Sequence, residues 1–135
     1  MHSTMKNYNT KIKNYLLQLD FNITYENEED GILMISKESE GIKNLILGIA
    51  PPMLIMEQHI FNIKNKNEEV FKNLLIKNRD IIHGAFVLDE TGQKVIFRDT
   101  LQIQNLDLNE LEASLNSLSL LLSEYSDQII NFSKY

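Results

Sequence analysis

The chain has 135 residues, 43% of them hydrophobic and 24% charged, with no cysteine and a formal net charge of −6. That length suits one domain over residues 1–135 with a core of its own. The acidic balance, with a pI near 5.0, repels phosphate backbones and anionic lipid and so counts against nucleic acid and membrane as partners. The lack of cysteine excludes disulfides, thiolate catalysis and sulfur-ligated zinc, and it fits a reducing cytoplasm. The N-terminal stretch does not read as a signal peptide, because Lys11, Lys13, Asn14 and Gln18 interrupt its apolar residues. No run is long enough to span a bilayer, so a cytoplasmic location is expected.

In chain order, Ser3 or Thr4 is placed to cap a first helix over roughly Met5 to Leu19, whose Tyr8, Ile12, Tyr15 and Leu19 make one apolar stripe. Two tyrosines and three lysines make a modest membrane-binding face, so the stripe is read as packing on the domain's own sheet. A polar turn at Asn27-Glu28-Glu29-Asp30-Gly31 leads to Ile32-Leu33-Met34-Ile35, apolar on both faces and therefore suited to a strand covered on each side. After Ser39-Glu40-Gly41, Lys43 to Ala50 reads as another strand with Leu45, Leu47 and Ile49 on one face. Pro51-Pro52 cannot donate ladder hydrogen bonds and must interrupt the pairing. Met53 to Ile63 reads as a further strand, with Leu54, Met56 and Ile60 alternating against Ile55, Glu57, His59 and Phe61. Met34, Met53 and Met56 fall on neighbouring strands, where flexible thioethers either fill a core or line an adaptable binding surface.

The stretch from Glu68 to Leu101 organises the rest: a helix running into a hairpin, and carrying the two arginines of the chain, Arg79 and Arg98. Asn67 suits the N-cap, and Glu68 and Glu69 suit the positive end of the helix. Val70, Phe71, Leu74 and Leu75 form the expected buried stripe. For Phe86, Leu88, Val95 and Phe97 to share the core face, Leu88 must pair with Val95 around a turn containing Thr91-Gly92. That register sets Asp89 opposite Lys94, Phe86 opposite Phe97, Ala85 opposite Arg98, Gly84 opposite Asp99 and His83 opposite Thr100. Small residues then leave a niche for Arg98, so that Arg98→Ala is expected to destabilise more than Lys94→Ala. Finally, Asp107 with Glu110 resembles a capping box. Leu108, Leu111, Leu115, Leu118, Leu122, Tyr125, Ile129 and Phe132 follow in heptad spacing, widened by Leu121 and Ile130. This predicts an amphipathic helix of about seven turns, laid across the sheet with an overhanging end for dimer contacts, with a coiled-coil seam to a second chain as the other reading of the heptad.

Chemistry is sparse. His2, His59 and His83 are scattered, and Glu57 with His59 makes too few ligands for a metal site. No Gly-rich phosphate loop or nucleophile elbow is present. The best catalytic constellation is His83 with Arg98, Asp99 and Thr100, but the register turns His83 and Asp99 to opposite faces. Asp99 is therefore read as a structural carboxylate, paired with Arg79 or capping a backbone turn.

Asn78-Arg79, His83 to Asp89, Phe97 to Leu101 and Leu106 to Glu112, with Gly41 to Leu45 and Glu57-Gln58 more softly, resemble the YbjN branch of the type III secretion chaperone-like superfamily, some members of which are called Tir-chaperone-like. The resemblance implies an α+β fold, a single antiparallel sheet with helices packed against it. The order would be α-β-β-β-α-β-β-α, with room for an extra short strand, ending in a long amphipathic helix. It also implies a non-enzymatic protein without cofactor or catalytic residues, one that binds a segment of a partner protein, usually as a homodimer. The shared motif of Asn78, Arg79, His83, Gly84, Ala85, Phe86, Arg98, Asp99 and Thr100 is then expected to shape the fold or a binding surface. Two other readings stand beside a chaperone-like or adaptor domain. One is a regulatory or small-ligand-binding domain using Arg98 and His83 on the outer hairpin face; the other is a structural subunit of a larger assembly.

Overall fold

The structure, a computed structural model, describes residues 2–64 and 68–134, with side chains described for 7–64 and 68–131. The expected Asn67 cap and the Phe132 side chain lie outside those residues. Six strands form one antiparallel sheet in the order β1-β2-β3-β4-β6-β5. They are β1 (Asn22–Asn27), β2 (Ile32–Lys37), β3 (Ile42–Ala50), β4 (Met53–Asn62), β5 (Ala85–Leu88) and β6 (Lys94–Gln102). Four helices accompany them: α1 (His2–Gln18), α2 (Glu68–Lys77), α3 (Leu108–Glu124) and α4 (Ser126–Lys134). The fold is the α+β arrangement implied by the sequence, and β1 is the extra short strand.

The pleat decides the layers. Leu33 and Ile35 on β2, Leu45, Leu47 and Ile49 on β3, Leu54 and Met56 on β4, Phe86 on β5, and Val95 and Phe97 on β6 all turn to one face and are buried. They join one cluster with Ile12 and Leu16 of α1, Val70 and Leu74 of α2, and Leu111, Leu115, Leu118 and Leu121 of α3. Burying side chains of this size is worth about 1.5–3 kcal/mol each and is the main stabilising term. A bulge between His59 and Phe61 turns Phe61 inward, against the strict alternation expected for β4. The hairpin register is as read from the side chains: Leu88 pairs with Val95, Phe86 with Phe97 and Ala85 with Arg98. The ladder stops at Ala85, so the expected pairs Gly84–Asp99 and His83–Thr100 lie beyond it.

The helices differ from expectation in detail. Helix α1 starts at His2, which places Ser3 and Thr4 inside it rather than ahead of it. Leu75 is 68% exposed rather than buried, because it sits about 100° around α2 from the buried Leu74. Asp107 caps α3 by accepting from the Glu110 N–H at 2.8 Å, as the capping-box pattern predicted. The single seven-turn helix is instead two helices, broken at Tyr125 (φ −109°, ψ 12°). The Lys77 ammonium stands 4.5 Å over the Tyr125 ring, and Ile129 of α4 packs back on the core. No helix among the described residues is long and apolar enough to cross a membrane.

Candidate partner-binding surfaces

The family-motif residues separate into a buried junction and exposed groups. Asn78 lies in a short 3₁₀ turn that ends α2. Its side chain acts as a miniature strand neighbour for β5: Nδ2 donates to the Phe86 carbonyl at 3.1 Å, and Oδ1 accepts the Phe86 N–H at 2.8 Å. Gly84 has φ +88°, and a Cβ there would overlap the Phe97 ring. Asp99 faces inward and is buried; one carboxylate oxygen accepts from the Ser114 hydroxyl of α3 and the other from the Thr100 N–H at 2.9 Å. It thus holds α3 onto β6, and the pairing with Arg79 that the sequence suggested does not form. Ala85 borders the same junction through its pairing with Arg98.

The remaining motif residues point elsewhere. Arg79 and His83 are exposed in the connection to β5, and Arg98 and Thr100 lie on the outer sheet face. Arg98 has no niche: its side chain is 43% exposed and stands 3.8 Å from Glu57. Exposed ion pairs of this kind contribute about 0–1 kcal/mol. Arg98→Ala should therefore melt within a few degrees of Lys94→Ala, a comparison that circular dichroism reads directly and that removes the difference expected from sequence. Among the described residues no three His, Asp or Glu side chains converge on a possible metal position.

The surface that sequence reasoning misplaced is apolar. Ile32 and Met34 were expected beneath a second layer, yet among the described residues no helix lies on their side of the sheet. Across this outer face one row runs Tyr25, Met34, Ile46, Glu57, Arg98, and the next runs Ile32, Gly48, Ile55, Thr100. Tyr25 is 52% and Ile46 42% exposed. The methionines divide accordingly: Met56 is buried in the core, while Met34 and Met53 are only half-buried on the open face. The signal for this surface was present in Ile32-Leu33-Met34-Ile35, which is apolar on both faces.

Two grooves complete the apolar surface. Phe71, Leu74 and Leu75 of α2 with Phe86, Leu88 and Val95 of the hairpin enclose about 220 Å³ beside the β5 edge. On the far side of the Asn78 turn, Ile82, the most exposed large apolar residue among the described ones, and Leu120 of α3 flank a groove of about 310 Å³. Its rim carries Asp80, His83 and Glu124. His83 therefore opens onto α3 and Arg98 onto the sheet face, so the two do not line a common pocket.

A single antiparallel sheet backed by helices is a fold shared with YbjN and with type III secretion chaperones. The chain belongs to the CesT_Tir_1 family, a type III chaperone family whose model matches residues 5–135. No curated protein sequence matches it. Its fold is similar to that in the HopA1–SchA chaperone–effector complex (10% identity, 98% of each chain, TM-score 0.65). It is also similar to Escherichia coli YbjN (12% identity, 88% of this chain and 91% of that one, TM-score 0.67). A third likeness is to the Yersinia pestis chaperone SycH in complex with a YscM2 fragment (18% identity, 93% and 99%, TM-score 0.59). At these identities the likenesses speak to fold, and family membership supports a chaperone-like, protein-binding role.

Proposed function

We propose that the chain, as one cytoplasmic domain, is a non-enzymatic chaperone-like or adaptor protein that binds a segment of a partner protein and works as a homodimer. The observation that carries this reading is the mismatch between sequence and cover. β2 is apolar on both faces, as strands buried on both sides are, and Ile46 of β3 and Ile55 of β4 extend its outer side, yet among the described residues the chain's own helices cover one face only. Sheets bury apolar faces against a second layer, and here a partner can supply it. A tagged pull-down at endogenous level from the native cell, comparing wild type with Ile46→Asp, tests this. One stoichiometric partner held by the wild type and lost by the variant is expected; recovery of the chain alone, or equal capture by both, contradicts it.

The dimer is best supported at the groove between α2 and β5. Its lining is wholly apolar, as the cores of homodimer interfaces tend to be, and a two-fold axis beside it would bring the same patch of two copies together. Leu75 (68% exposed) and Leu88 (45%) would each gain about 1–2 kcal/mol on burial. Light scattering across micromolar concentrations should give a dimer mass for the wild type and a monomer mass for Leu75→Glu. A wild-type monomer throughout that range removes the dimer.

A further inference from the structure

We infer that the two copies of the proposed homodimer exchange α4: α3 and α4 straighten into one helix, and the α4 of each copy docks on the other. The inference rests on the homodimer reading above and adds the segment that the copies share. It starts from the heptad, which runs on through Leu118, Leu122, Tyr125 and Ile129 although the helix breaks at Tyr125. The break is one residue wide and shallow. The Tyr125 N–H still donates to the Leu121 carbonyl at 3.0 Å, and the Ile129 N–H donates to the Tyr125 carbonyl at 2.8 Å. Both are the i to i−4 bonds of an unbroken helix. Tyr125 stands at φ −109°, ψ 12°, about 50° from helical values in each angle. Closing that gap pairs the first N–H groups of α4 with the last carbonyls of α3, groups that helix ends leave without intrahelical partners.

α4 is lightly held and separable. It lies against β4, with Ile129 packed on the core and Ser126, Asp127, Gln128 and Asn131 exposed. Towards α2 a groove of about 260 Å³, lined by Asn73, Lys77, Gln128 and Asn131, stands between the two helices. The α4 of a second copy is an occupant whose fit to this seat is already on view, because it would make the contacts that α4 makes now. Exchange returns each contact between copies and adds the bonds of the straightened hinge. It also needs the copies held together, since within one chain α4 closes on its own seat at high effective concentration. The groove between α2 and β5 meets that need. α2 turns Phe71 and Leu75 to that groove and Asn73 and Lys77 to α4, so one helix diameter, about 10–12 Å, separates the two. α4 has nine residues, a length of about 13 Å, which spans that distance.

The chain has no cysteine, so introduced cysteines report which copy supplies α4. Two full-length variants, Asn73→Cys and Gln128→Cys, one of them tagged, are expressed together and treated with a short bismaleimide. These positions line one groove and belong to one chain while α4 is closed, so exchange should give a product linking the two variants. Asp127→Pro in both chains is the control. Proline is tolerated in the first turn of α4, whereas in a straight helix it loses an N–H and clashes with the Ser123 carbonyl. It should keep the dimer mass in light scattering and lower the mixed product roughly ten-fold or more. A doubly substituted chain carrying Asp127→Pro should instead link within itself. Leu75→Glu should lose the mixed product together with the dimer. A dimer mass without mixed product, or a mixed product that Asp127→Pro leaves unchanged, overturns the exchange while the dimer reading stands. A wild-type monomer mass throughout overturns both.

Discussion

Gly84→Ala should melt on the order of 10 °C below the wild type. Two costs combine at this position. The backbone holds φ at +88°, a conformation that costs an L-residue about 1–2 kcal/mol. The new methyl would also overlap the Phe97 ring and stand 2.9 Å from the Arg98 carbonyl oxygen. Phe97 has little freedom to yield: it is 1% exposed and meets Phe86 edge to face, with ring centroids 6.4 Å apart. Overpacking of such a site costs about 1–3 kcal/mol, for a total near 3 kcal/mol. Gly92→Ala is the control. Its φ of +72° carries the same backbone penalty, but nothing lies within 4 Å of the added atom, so it should lose only a few degrees. Equal melting temperatures for the two variants would show that contact with Phe97 does not hold the glycine in place.

Asp99→Ala should lower stability by about 2–3 kcal/mol, measured by urea unfolding. The carboxylate accepts from Ser114 and from the Thr100 N–H in a site where Ser114 is 1% exposed. Removing it leaves a buried hydroxyl without its partner, and that desolvation cost exceeds the net worth of the bond itself. The double variant Asp99→Ala with Ser114→Ala replaces both polar groups with apolar ones and should recover part of the loss. A double variant whose loss equals the sum of the two single losses would mean that the contact between β6 and α3 is not energetically coupled.

Much of this architecture is legible in the residues. The hairpin register follows from requiring Phe86, Leu88, Val95 and Phe97 to share a face, because a slip of one residue would turn the apolar pair of one strand away from that of the other. The Asp107 cap is legible because it rests on a local rule. Three features escape for identifiable reasons. The break at Tyr125 contains neither glycine nor proline, and the heptad continues through it, so no local signal ends α3. Asn78 caps the Phe86 backbone across eight residues of sequence, a contact that exists only once the 3₁₀ turn has formed. Arg98 was assigned a niche from its small cross-strand neighbour Ala85, but Ala85 lies on the open face with it, and small neighbours on an uncovered face make no enclosure.

The misreading of β2 is the most instructive. Ile32-Leu33-Met34-Ile35 asks for cover on both sides, and sequence pattern alone does not say whether one chain supplies both covers. The same ambiguity applied to Met34, Met53 and Met56, which the structure divides between open face and core. The candidate site was therefore legible as a requirement for burial, while its position outside the molecule's own core was not.

The partner-binding account stands or falls on what touches Ile46 in the cell. The direct measurement is photo-cross-linking from the native cell with a benzophenone amino acid at position 46, against the same group at Glu90 in the exposed hairpin turn. One cross-linked product with a protein of different sequence is expected from position 46 and none from position 90. The same products from both positions, no product from position 46, or cross-links only to a second copy of this chain would contradict it.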